Sequence, residues 1–83
     1  MDVSKLVLDT LDEVLSLNGR ARTFGRDTHL VGAVPEFDSM AVVALITTFE
    51  DRLGIVIDDD EIDGDTFRTV GSLIDFVSQK VAP

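Results

Sequence analysis

Cysteine is absent from the chain, and that one absence removes disulfides, zinc knuckles, iron–sulfur clusters and cysteine nucleophiles together. Basic residues are scarce: 7 Lys and Arg stand against 16 Asp and Glu, for a formal net charge of −9. Phosphate contacts need clustered bases, so binding to nucleic acid or to an anionic membrane surface is excluded. No apolar run is long enough to span a bilayer, and the opening MDVSKLVLDT lacks the layout of a signal peptide. No repeat or low-complexity tract interrupts the sequence. What remains is 45% hydrophobic and 28% charged over 83 residues, the composition of one small folded domain, 1–83, with a cytoplasmic address.

Apolar residues recur at helical spacing at Val3, Leu6, Val7, Leu11, Val14 and Leu15, which predicts a first helix over about residues 3–17. Asp2 or Ser4 is placed to cap it, and Asn18-Gly19 to stop it. Residues 18–37 show no period and hold three glycines and Pro35, so they read as a long loop tied to the core by Phe24, Leu30 and Val34. A second helix is predicted from Ser39 to Leu53, with Asp38 as its N-cap and Gly54 as its stop. Gly54-Ile55-Val56-Ile57 reads as extended, and Thr66-Phe67-Arg68 as a single short helical turn. Val70, Leu73, Ile74, Val77 and Val81 mark a final amphipathic helix, inside whose first turn Gly71 permits close packing. The fold class is all-α: a small four-helix bundle with a long loop between helices 1 and 2 and a short third helix.

On a wheel at 100° per residue, Val42, Leu45, Ile46, Phe49 and Leu53 form the core face of the second helix. Met40, Val43, Ala44, Thr47 and Asp51 fall on the opposite side, with Glu50 at the edge. An apolar strip rimmed by acids, Glu36 among them, has the composition of a docking surface, unless loop 18–37 folds over it. Ser39 follows an N-cap Asp directly, so its hydroxyl sits at the positive end of the helix dipole, where an attached phosphate would be favoured.

These residues in this order resemble an acyl carrier protein. The likeness runs through the first helix, the long loop and Asp38-Ser39-Met40, then Phe49-Glu50-Asp51-Arg52-Leu53-Gly54-Ile55 and Phe67-Arg68-Thr69-Val70-Gly71-Ser72-Leu73. The family's D-S-L signature reads D-S-M here, a volume-conserving exchange. The resemblance implies that Ser39 carries 4′-phosphopantetheine, donated by coenzyme A through a Mg²⁺-dependent phosphopantetheinyl transferase. It further implies a monomeric carrier, not an enzyme, served by acyl- or aminoacyl-activating ligases and by acyltransferase or synthase enzymes. A chain without cysteine must import its thiol, and this arm supplies one. Val31 to Leu45 is similar to dedicated carriers of bacterial exosortase and exopolysaccharide systems, because Ala41, Val42, Val43 and Ala44 stand where fatty-acid carriers are rich in acids. An aminoacyl or peptidyl carrier and an unmodified helical adaptor stay open as alternatives; against the former, Glu-Phe replaces the Gly-Gly that usually precedes the serine step.

A hydrolase lacks its parts, since His29 is the single histidine and no G-x-S-x-G elbow is present. The run Asp58 to Asp65 imitates the opening of a calcium loop at Asp59, Glu61, Asp63 and Gly64. Its twelfth position is Val70, where a bidentate Glu is required, so no metal site is assigned and the run reads as a solvated acidic loop. Arg20, Arg22 and Arg26 read as bases that balance nearby acids.

Overall fold

Each helix begins or ends where a particular side chain or backbone angle makes it do so. The computed structural model describes residues 2–30, 37–62 and 65–81. Val34, Glu36, Asp63 and Gly64, named above as a core tie, a docking acid and parts of the acidic run, lie outside the described residues. Helix α1 spans Val3–Leu15 and is capped by Asp2, whose carboxylate accepts from Lys5 N at 3.1 Å. It stops two residues before the predicted end, because Ser16 takes the left-handed conformation with φ 54° and its N–H closes on the carbonyls of Asp12 and Glu13.

The Asp12 carboxylate then organises the start of the loop. Its two oxygens accept from Gly19 N and Ala21 N, both at 3.2 Å, and wind Arg20–Thr23 into a 3₁₀ turn that the sequence did not suggest. Beyond it, residues 26–30 are strapped to the start of the last helix. Leu30 N donates to Arg68 O at 3.0 Å, Val70 N to Thr28 O at 2.9 Å and Gly71 N to Arg26 O at 2.9 Å, around an isolated antiparallel bridge between His29 and Thr69.

Helix α2 occupies Ser39–Leu53, as the sequence predicts, and Gly54 ends it with φ 64°. Ile55 to Ile57 form neither helix nor strand, and Ile57 is buried. The short helical turn lies at Asp59–Glu61, not at Thr66–Arg68, which is an ordinary turn. The Glu61 carboxylate fixes it there by accepting from Asp58 N at 2.9 Å and from Lys80 Nζ at 2.7 Å. Helix α3 covers Val70–Val81. Thr69 and Ser72 cap it reciprocally: Thr69 N donates to Ser72 Oγ at 3.0 Å and Ser72 N to Thr69 Oγ1 at 3.1 Å.

The described residues thus form the expected all-α fold, with three helices and two 3₁₀ turns, and the short third helix of the expected four is the 3₁₀ turn Asp59–Glu61. Helix α1 packs against both α2 and α3. The core joins Val7, Leu11 and Leu15 of α1 to Leu45 and Phe49 of α2 and to Val70, Leu73, Ile74 and Val77 of α3. Leu30, Phe37, Ile57 and Phe67 complete it from the loops, while Phe24 is only half-buried. Gly71 is where the strap approaches most closely; a Cβ there would meet Arg26 O at 3.0 Å.

Candidate functional site

The start of α2 is held from both sides. Phe37 buries its ring against Phe67, with centroids 5.7 Å apart. Asp38 then turns the chain, its Oδ1 accepting from Ala41 N at 2.8 Å and its carbonyl from Val42 N at 3.1 Å. Ser39 is the first residue of the helix, and its side chain is exposed. Among the described residues no hydrogen bond occupies its hydroxyl, and the first-turn N–H groups of Ser39 and Met40 have no acceptor within the helix. A free hydroxyl beside unsatisfied donors at the positive end of a helix suits an oxygen-linked phosphate.

The face beside it is uncovered. Met40 is 79% exposed and Val43 64%, and Ala44, Thr47 and Asp51 are exposed as well, so none of the described residues covers this strip. Ser39, Val43, Thr47 and Asp51 are spaced by four and form one row along the helix. The opposite side is inward: Ala41, Leu45 and Phe49 are buried and Val42, Ile46 and Leu53 half-buried. Glu50 differs from the other acids grouped with it. It is half-buried, and its Oε2 accepts from Ile57 N at 2.8 Å, which ties the chain after α2 back to the helix.

Other residues singled out by sequence have structural partners. Arg26 Nη2 donates to both carboxylate oxygens of Asp75, at 2.9 and 2.8 Å. Arg52 of α2 reaches across to Glu13 and to the buried Thr10, at 3.3 Å from the Thr10 Oγ1. This interhelical pair was not anticipated, because nothing local in the sequence marks it. His29 is exposed in the bridge with Thr69, and no hydrogen bond links it to Ser39. In the acidic run the Glu61 carboxylate is held below its ordinary range, first by the hydrogen bond from Lys80 and then by that from Asp58 N. That run is therefore pinned in part rather than freely solvated. Among the described residues no cluster of three His, Asp or Glu is arranged to hold a metal, and no helix is long and apolar enough to cross a membrane. A shallow cleft of about 690 Å³ lies beside α1, lined by Lys5, Leu8, Asp9 and Arg22, and none of its lining residues belongs to α2.

Ser39 faces solvent, and among the described residues no hydrogen bond ties its hydroxyl to a base. The model of the phosphopantetheine attachment site family matches residues 5–77. Among solved structures, the fold is similar to the solution NMR structure of a holo acyl carrier protein from Nitrosomonas europaea, with a TM-score of 0.88, 43% identity, and 98% of each chain covered. The curated proteins contain no match. The chain belongs to the acyl carrier protein family: it is a carrier, not an enzyme, and its prosthetic group is phosphopantetheine.

Proposed function

We propose that this chain is a free-standing, monomeric, cytoplasmic carrier whose 4′-phosphopantetheine arm is attached to Ser39. The observation that carries the assignment is the exposed, unbonded Ser39 hydroxyl at the start of α2, directly after the Asp38 cap. In the loading step the Ser39 oxygen attacks the coenzyme A phosphorus that bears pantetheine. The new O–P bond forms as the bond to adenosine 3′,5′-bisphosphate breaks, and the serine proton leaves through a base of the phosphopantetheinyl transferase. When attached, the arm would supply a thiol able to hold an acyl group as a thioester, and its tether at Ser39 would raise the local concentration of that group at the activating ligases and the acyltransferase or synthase enzymes that dock.

Those enzymes meet the row beside Ser39. Met40, Val43, Ala44 and Thr47 offer a contact that must dehydrate, and Asp51 and Asp38 supply charge at its two ends. Because the first turns of α2 carry no acid after Asp38, the reading favours a specialised pathway over housekeeping fatty-acid synthesis.

The test is to treat the protein with coenzyme A and a phosphopantetheinyl transferase and to weigh it intact. One arm should be added to the native chain and none to Ser39→Ala, whose far-ultraviolet circular dichroism should match the parent. Labelling of Ser4, Ser16, Ser72 or Ser78 would overturn the assignment.

A further inference from the structure

Met40, the neighbour of Ser39 in the first turn of α2, is 79% exposed, more than Val56 at 71% or Val43 at 64%. Its thioether is therefore open to solvent. The D-S-L signature puts leucine here, which offers a mild oxidant no atom to attack. Methionine keeps the volume and adds a soft sulfur with a free lone pair. The rest of the chain gives such an oxidant few targets, with no Cys, Trp or Tyr and only one other methionine, Met1. Met40 also stands outside the core cluster, so a change at its sulfur asks no repacking of Leu45 or Phe49.

We propose that Met40 is a reversible oxidation site that regulates docking at Ser39, with the thioether form competent and the sulfoxide form impaired. The inference rests on the Ser39 attachment and on the strip beside it, and adds control by peroxide to that reading. In the forward step the Met40 sulfur attacks the terminal oxygen of a hydroperoxide. The S–O bond forms as the O–O bond breaks, and the departing oxygen takes the proton and leaves as water or an alcohol. The sulfur loses the electron pair that the peroxide gains. In the reverse step a methionine sulfoxide reductase returns the thioether, releases the oxygen as water and oxidises a dithiol to a disulfide. The sulfoxide places a strong hydrogen-bond acceptor beside Val43 and Ala44, where a partner has to exclude water. In the free chain that oxygen stays hydrated, so the fold is spared and the contact is not.

The experiment treats the full, unloaded chain with dilute hydrogen peroxide, removes the peroxide and maps the product by peptide mass. One oxygen should appear on Met40, and the oxidised chain should melt with the parent. Coenzyme A and a phosphopantetheinyl transferase are then added, and arm transfer is followed by intact mass. Transfer to the oxidised chain should be slower by about fivefold or more, and methionine sulfoxide reductases with a dithiol should restore the starting rate. In Met40→Leu the treated and untreated rates should equal one another, which removes Met1 as the cause. An untreated chain that takes no arm, or takes it on another serine, overturns the attachment reading and the switch with it. Three results overturn the switch alone. The oxidised chain is loaded at Ser39 as fast as the parent, it melts well below the parent, or Met40→Leu is slowed by peroxide as much as the parent is.

Discussion

Val43→Asp and Phe49→Ala lie on the same helix and should have opposite consequences. Val43 is 64% exposed, so only about a third of it is removed from water, and a substitution at such a site typically costs about 0.5 kcal/mol or less. Phe49 is 1% exposed and its truncation leaves a core cavity, at roughly 3–5 kcal/mol. Stability of about 0.05–0.15 kcal/mol per residue gives a chain of 83 residues about 4–12 kcal/mol in total. In a domain of this size 1 kcal/mol moves Tm by about 4–8 °C. Val43→Asp should therefore melt within about 4 °C of the parent, whereas Phe49→Ala should lose about 12 °C or more, or fail to melt cooperatively. In transfer the order reverses for the folded variant. In the proposed docking contact the new carboxylate would have to dehydrate, which costs about 1–3 kcal/mol and lowers kcat/KM for arm transfer by about 5- to 150-fold. Circular-dichroism melting and an intact-mass time course with the transferase supply both readouts. A Val43→Asp protein that unfolds like Phe49→Ala would show the strip to be covered and refute the docking argument.

Other outcomes follow from the packing and the charges. Gly71→Ala gains up to about 1 kcal/mol of helix propensity but presses a methyl against Arg26 O at 3.0 Å, so denaturant titration should show a net loss of about 1–2 kcal/mol. The Glu61 carboxyl is held below its ordinary range by Lys80 and Asp58 N, so its stabilisation is complete above the unfolded value of about 4.3 and disappears as pH falls through the lower folded value. Acid titration of Glu61→Gln should accordingly lack that part of the parent's loss, and an unchanged acid limb would refute the pairing. At a net charge of −9, millimolar Mg²⁺ and Ca²⁺ should raise Tm to the same modest extent by screening, whereas a tight Ca²⁺-selective rise would reveal a metal site.

The residues that were legible in the sequence are those whose signals are local. Asp38, Ser39 and Gly54 fix α2 because a cap, a first turn and a left-handed stop all act within four residues. The strip beside Ser39 was legible for the same reason, since helical period alone separates Met40 and Val43 from Leu45 and Phe49. What escaped depends on partners far along the chain. The turn at Asp59–Glu61 is fixed by Lys80, 19 residues beyond Glu61, and the Arg20–Thr23 turn by Asp12, seven and nine residues before the amides it catches. Glu50 read as an acid at the edge of the docking strip because nothing nearby reveals that Ile57 N turns back to it. The Arg26–Asp75 pair spans 49 residues and was beyond any windowed pattern.

The strap between residues 26–30 and 68–71 makes α2 and the turn after it a closed excursion from a frame built of α1 and α3. Its two ends are held together by backbone hydrogen bonds, which ask little of side-chain identity along the excursion itself. The segment that bears Ser39 is in this sense a cassette. Its outward row can change from acidic to apolar without retuning the clasp, provided that Leu45 and Phe49 still fill the space facing α1. If partners dock on that face, as proposed, a change of partner would be a repainting of one helix face, while the frame that presents it stays the same.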